Sequence, residues 1–302
     1  MEGHTILGGV IHPRVSHPRV VHPGAVRRSN FYLSLFFLPP RKRKAMTAIY
    51  SFARLVDDIV DEEGEREEKE RELQFWREEI KRCLEGAAQT PLGRELSLVI
   101  QGHQLSEVYF QELINGVAMD LSRDRYATFE ELCGYCYGVA GTVGSICMEL
   151  FGLRHERAME YAKTLGRAFQ LTNILRDIIA DLEQNRVYLP QEDLRRFGVT
   201  EEDLRGHRDS DAFRTLIGFE VQRAFACFQQ VQGLLTPEEK RKIVAADVMG
   251  AVYSRILREI AKSPSRIFRE KVSLDPVTKL SLALQTWFKN QFTQKGRGPE
   301  EK

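Results

Sequence analysis

Between Pro91 and Pro190 this chain contains no proline. Proline lacks a backbone donor and clashes with the preceding helical turn, so a long proline-free stretch permits long helices. The apolar spacing then selects them. From Arg41 to Glu62 the apolar residues Ala45, Ile49, Phe52, Val56 and Val60 step by four, three, four and four, one stripe of one helix. From Tyr161 to Gln184, Leu171, Leu175, Ile178 and Leu182 avoid the sector shared by Gln170, Asn173, Asp177 and Asp181. Glu65 to Leu84 is highly charged, with Leu73, Phe75, Trp76 and Ile80 as a narrow apolar edge, and reads as an outer helix. Phe213 to Leu235 and Glu238 to Ala261 repeat the helical spacing. Glu131 to Leu150 carries Gly134, Gly138, Gly141 and Gly144 three or four apart, a spacing that lets another backbone or a lipid chain approach closely. No segment sustains the period-two alternation of a strand. The reading is all-α: one compact helical domain over 28–291 and a flexible charged tail at 292–302. Residues 1–27 hold a repeat, His12-Pro-Arg-Val, His17-Pro-Arg-Val and His22-Pro, too short and proline-rich to build a core, and are expected to be disordered.

The polar faces of two of these helices carry the chemistry. Asp57, Asp58 and Asp61 lie opposite the apolar stripe of the first, and Asn173, Asp177 and Asp181 recur at four-residue steps on the second. Carboxylates one turn apart point the same way. On an exposed helix such a like-charge pair costs roughly 0.2–0.5 kcal/mol, and more in a cleft of lower dielectric. Two such faces ask for a shared cation. Hard oxygen ligands on rigid helices, with room left for substrate oxygens, suit Mg2+ bridging to phosphate. The first cluster alone reads equally well as a solvated acidic face running into Glu62-Glu63-Gly64-Glu65. The second has no Lys at the ligand steps, which argues for a site.

Composition excludes several classes. Lys+Arg 44 against Asp+Glu 43 leaves a net charge of +1, so no nucleic-acid footprint is expected. Five scattered cysteines suggest a reducing compartment rather than a disulfide framework. Cys133-x-x-Cys136 has no second pair for a zinc site. No apolar run reaches the length of a membrane span, and the first thirty residues lack the apolar region of a signal peptide. A cytoplasmic location is expected, with weak peripheral membrane contact through Phe31–Leu38 or Leu280–Phe288, which basic residues flank.

The stretches Tyr50 to Asp61, Tyr135 to Gly144 and Gln170 to Pro190 resemble the head-to-head trans-isoprenyl diphosphate synthases, the squalene and phytoene synthase family. The resemblance runs from about Ser29 to about Lys271. Phe36 to Pro40 and Leu165 to Asp177 look most like the bacterial hopanoid-pathway members that make presqualene diphosphate. The resemblance implies an isoprenoid-synthase helical bundle, with both aspartate helices facing a central cavity. It implies Mg2+, with Mn2+ as a substitute, held by Asp57, Asp61, Asn173, Asp177 and Asp181 against two prenyl diphosphates. Arg54, Arg176, Arg186, Tyr188 and Lys271 are implied to touch diphosphate, since guanidinium pairs well with phosphate oxygens. Tyr135 matches the tyrosine that assists proton removal, Tyr50 matches a cavity tyrosine, and Gln170 and Thr142 are expected to line the pocket. Ala180, Asn30 and the stretch from Asp181 to Arg186 depart from the family pattern, and none of them removes a metal ligand.

The implied function is Mg2+-dependent condensation of two farnesyl diphosphates to presqualene diphosphate, feeding downstream isoprenoid enzymes. The alternatives are phytoene synthesis from geranylgeranyl diphosphate, NADPH-dependent reduction onward to squalene, and a non-catalytic lipid-binding or assembly factor. The last typically lacks carboxylates from one motif, and here both sets are intact.

Overall fold

The structure, a computed structural model, describes residues 30–292; the expected disorder at 1–27 and the tail beyond 292 lie outside them. The described residues form helices joined by short turns, with no strand and one isolated bridge between Arg125 and Val187. In order they are α1 (Asn30–Leu35), α2 (Pro40–Asp61), α3 (Arg66–Glu85), α4 (Pro91–His103), α5 (Glu107–Ala118), α6 (Phe129–Cys136), α7 (Thr142–Leu150) and α8 (Glu156–Glu183). Then follow α9 (Gln191–Phe197), α10 (Glu201–Arg205), α11 (Asp211–Gln230), α12 (Pro237–Lys242), α13 (Val244–Lys262) and α14 (Pro276–Phe292).

Helix α2 starts on Pro40, where a missing N–H costs nothing, and stops where Glu62 turns extended. Its predicted stripe of Ala45, Ile49, Phe52, Val56 and Val60 is buried throughout, and Leu55 and Ile59 widen it. Burying each such large side chain contributes roughly 1.5–3 kcal/mol relative to exposure. In α3, Leu73, Trp76 and Ile80 are buried as expected.

Helix α8 is the axis of the bundle. Its 28 residues begin where the His155 ring accepts from the Ala158 N–H. It packs against α7, α11 and α13, and buries Tyr161, Leu165, Ala168, Leu171, Leu175 and Ile178 on several faces. The expected apolar stripe is therefore part of a nearly encircling apolar surface, as suits a central helix.

The glycine-rich segment is not one continuous helix. A π turn at Tyr137–Gly141 separates α6 from α7, a local widening frequent at functional sites. There α5 comes unusually close: a Cβ added at Gly138 would lie 2.6 Å from the Gly116 Cα. A Cβ at Gly144 would lie 2.9 Å from the Ala162 carbonyl oxygen of α8. Gly134 has nothing within 4 Å and takes no part in this close approach.

Candidate active site

Helices α2, α5, α7, α8 and α13 enclose a cavity of about 310 Å³. Its wall is largely apolar, with Met46, Leu113, Val143, Phe169 and Met249 among its residues. At one end stand Tyr50, Arg54 and Asp57 from α2, Gln170 and Asn173 from α8, Tyr135 from α6 and Tyr253 from α13. Asp57 from one predicted polar face and Gln170 and Asn173 from the other thus line one cavity, whereas Asp61, Asp177 and Asp181 are not among its lining residues.

On α2, Arg54 spans one turn, pairing with Asp57 at 2.9 Å and Asp58 at 2.6 Å. Asp61 receives Arg186 from the segment after α8 at 2.6 Å. Arg186 also donates to the Val60 carbonyl at 3.2 Å, so it ties the two aspartate segments together. On α8, Asp177 is paired with its neighbour Arg176 and with Lys271 at 2.9 Å. Arg54, Arg176, Arg186 and Lys271, all expected from the sequence, therefore meet the aspartates directly.

The carboxylates divide into two kinds. Burial raises Asp177, but Arg176 and Lys271 outweigh it and leave the group below its ordinary value. Burial and the charge of Asp61 push Asp57 up to about 7, against the pull of Arg54. Asp57 keeps 41% of its side-chain surface exposed and is among the residues lining the cavity. Burial and the charge of Asp177 push Asp181 up to about 8. Burial raises Asp58 too, despite Arg54, so each helix holds at least one carboxylate short of positive charge.

Among the described residues no three acidic, His or Cys side chains converge as a ready-made metal site. The donor set still fits a hard divalent cation. Asn173 Oδ1 is buried without a hydrogen-bond partner, and Asp57 and Asp181 lack a full counter-charge. All are oxygen donors of the kind Mg2+ takes, and Mg2+ usually keeps positions for water and phosphate.

A second cluster lies behind Tyr135. Its hydroxyl donates to Asp120 at 2.9 Å, and the Tyr188 hydroxyl donates to the other Asp120 oxygen at 2.8 Å. The rings of Tyr135 and Tyr188 stack with centroids 5.0 Å apart. Burial, opposed by Arg186 and the two tyrosines, raises Asp120 to about 6. Burial and the charge of Asp120 hold the Tyr135 phenol well above its ordinary value, so it stays an O–H donor. Asp120 and Arg186 also line an adjoining polar pocket of about 410 Å³, together with Arg66, Lys69 and Arg123.

The sequence reading missed Asp120 and Tyr253. Asp120 follows an apolar helix, and its one acidic partner at helical spacing, Asp124, lies beyond the short Met119–Leu121 turn, so the pair did not mark a helix face. Tyr253 lines the cavity and is hydrogen-bonded with Asn173 and Arg176, but it sits in a helix that reads as ordinary core. One expected site residue is corrected. Thr142 is fully buried, is absent from the cavity lining, and donates to the Gly138 carbonyl at 2.6 Å. A threonine in a helix readily makes this bond to the preceding turn.

The squalene/phytoene synthase family matches residues 26–278. Presqualene diphosphate synthase of Rhodopseudomonas palustris is 35% identical over 258 residues, covering 85% of this chain and 92% of that protein. The 15-cis-phytoene synthase of Synechocystis is 34% identical, covering 86% of this chain and 81% of its own. The crystal structure of squalene synthase HpnC from Alicyclobacillus acidocaldarius superposes with a TM-score of 0.71 at 31% identity, covering 77% of this chain and 88% of that one. A ligand-bound dehydrosqualene synthase gives a TM-score of 0.77 at 27% identity, covering 87% and 93%.

The fold and the site define an all-α isoprenoid synthase. The chain belongs to the squalene/phytoene synthase family, whose members are metal-dependent prenyltransferases joining prenyl diphosphates head to head.

Proposed function

We propose that this protein condenses two farnesyl diphosphates to presqualene diphosphate and releases one diphosphate. The observation that carries the reading is that both aspartate helices border one apolar cavity, with Arg54, Arg176, Arg186 and Lys271 paired to their carboxylates. The likeness to a presqualene diphosphate synthase favours farnesyl groups. The likeness to phytoene synthases keeps geranylgeranyl diphosphate as the second reading.

Asp57, Asp61, Asn173, Asp177 and Asp181 would hold Mg2+, which supplies positive charge to the leaving diphosphate when bound. Arg54, Arg176, Arg186 and Lys271 orient the phosphates. The C–O bond of one farnesyl diphosphate breaks, and its electron pair leaves with diphosphate. The apolar wall keeps water from the allylic cation until the double bond of the second farnesyl group reaches it. One carbon–carbon bond forms and leaves a tertiary cation; a proton then leaves the attacking carbon, and its C–H electron pair forms the second carbon–carbon bond that closes the cyclopropane. The Tyr135 oxygen accepts that proton while its own passes along the 2.9 Å bond to Asp120. No electrons are gained, so NADPH enters only if reduction continues to squalene.

The protein is expected in the cytoplasm with weak peripheral membrane contact. Among the described residues no helix is long and apolar enough to cross a membrane. Helix α14 exposes Leu280, Leu284 and Phe288, carries Lys279 and Lys289, and contains no acidic residue. The first membrane stretch named from the sequence is less suited, because Leu35 and Leu38 are buried. Co-sedimentation with anionic vesicles at low salt tests the contact; no binding at any lipid concentration removes it.

The activity is tested by supplying farnesyl or geranylgeranyl diphosphate with Mg2+, with and without NADPH, and identifying products by mass. Presqualene diphosphate from the farnesyl substrate is expected. Phytoene, or no turnover of either substrate, overturns the reading.

A further inference from the structure

A second cavity, of about 430 Å³, lies between α8, α11, α13 and α14. It shares Tyr161, Leu165 and Ala246 with the wall of the catalytic cavity. These three side chains form the partition. Tyr161 is its largest member, 3% exposed. Its hydroxyl donates to Asp247 at 3.3 Å, and Asn290 on α14 donates to the other Asp247 oxygen at 2.8 Å. The ring is thus held from three helices.

The partition lies far from the aspartates. Tyr161 and Asn173 are on one helix, about 18 Å apart along its axis at 1.5 Å per residue. A prenyl diphosphate bound by its head at Asp57 and Asn173 would extend its tail toward Tyr161. A chain one isoprene unit longer needs space beyond it, and the structure holds that space behind the three side chains of the partition, with Phe228, Val231 and Leu282 as apolar wall beside polar Lys240, Arg258 and Asn290.

We infer that Tyr161 sets the chain length this cavity accepts, by closing it against the neighbouring one. The inference rests on the prenyl diphosphate reading above. With Tyr161 in place the farnesyl tail ends at the partition. Without it the two cavities join, and a geranylgeranyl tail enters the second.

The test compares kcat/KM for geranylgeranyl and farnesyl diphosphates, with Mg2+, from diphosphate release. Tyr161→Ala is expected to raise the geranylgeranyl-to-farnesyl ratio at least tenfold. That is the low end of what a single methylene commands in a rigid apolar pocket. Tyr161→Phe keeps the ring and is expected to keep the wild-type ratio. Gly250 lines the second cavity, and a Cβ built there meets nothing within 4 Å. Adding Gly250→Leu to Tyr161→Ala refills that space and is expected to restore the wild-type ratio. If Tyr161→Ala does not fold, Leu165→Ala opens the same partition from the next turn and is expected to shift the ratio in the same direction. An unchanged ratio in a folded partition variant overturns the inference while leaving the farnesyl reading intact. A wild-type enzyme that already prefers the geranylgeranyl substrate overturns both the inference and the farnesyl reading. Turnover of neither substrate by the wild type overturns the functional reading itself.

Discussion

The two aspartate segments hold similar residues in different settings. On α2 the carboxylates ride the polar edge of an amphipathic helix, with Arg54 one turn away and Asp58 still 29% exposed. On α8 they sit in the axial helix, where Asp177 is only 17% exposed. The cations differ as well. Arg54 comes from the same helix, whereas Lys271 reaches Asp177 from the distant C-terminal part of the chain. Yet both segments reach a similar result: cations pair with part of each cluster, and carboxylates are still pushed upward, Asp57 and Asp58 on α2 and Asp181 on α8. Two helices of unlike burial have arrived at the same shortage of positive charge. A shared cation explains this better than two independent surface features do.

The most direct way to break the comparison is to neutralise one member of each pair. Asp57→Asn and Asp177→Asn should each lower turnover on the order of a thousandfold, the effect of losing several kcal/mol of charge stabilisation. Circular dichroism should show both variants folded. Unimpaired turnover in either variant would remove that segment from the metal site.

Asp120→Asn should cost about 10²- to 10⁴-fold, the range of a lost proton acceptor. Its pH profile sharpens the assignment. Asp120 has a value raised to about 6, so the wild type should lose activity as pH falls through that value, when the carboxylate takes up a proton. At saturating Mg2+, where protonation of the metal ligands is suppressed, the variant should lack this limb. A profile identical to wild type would leave Asp120 with a packing role only.

The raised carboxylates also set how metal binding and stability change with pH. Asp57 and Asp181 titrate near 7 and 8, so Mg2+ should displace protons below those values and bind more tightly as pH rises through them. Calorimetry in buffers of different ionisation heat would measure the proton release; none at pH 6.5 would contradict it. The stability sign is opposite. A carboxylate raised on folding stabilises the fold below its unfolded value of about 4 and loses that contribution as pH rises through its folded value. The metal-free protein should therefore lose stability from pH 5 to 8, and Mg2+ should restore it. The smallest effect should follow removal of residues 1–27, since the family match begins at residue 26. Turnover should stay within about twofold of wild type, a change under roughly 0.5 kcal/mol in barrier height.

Much of this molecule was legible in its sequence because helical spacing reports faces directly. The stripe of α2 and the ligand sector of α8 follow from counting residues, and the resemblance then added Arg186 and Lys271. Spacing does not report what packs from elsewhere in the chain. Asp120 acquires its meaning only when α6 and the segment after α8 bring Tyr135 and Tyr188 to it. Tyr253 looks like core until its hydroxyl meets Asn173 and Arg176. The break at Tyr137–Gly141 was hidden for a related reason. Its glycines announced close packing, but only the approach of Gly116 shows where the helix widens.

The central claim is that both aspartate segments serve one condensation that joins two prenyl diphosphates. Counting diphosphate released per farnesyl group consumed, with Mg2+ and without NADPH, tests it most directly. One diphosphate for every two farnesyl groups, with the second retained on the product, is the predicted result. One diphosphate for every farnesyl group, with free farnesol as product, would mean simple hydrolysis and would contradict the account.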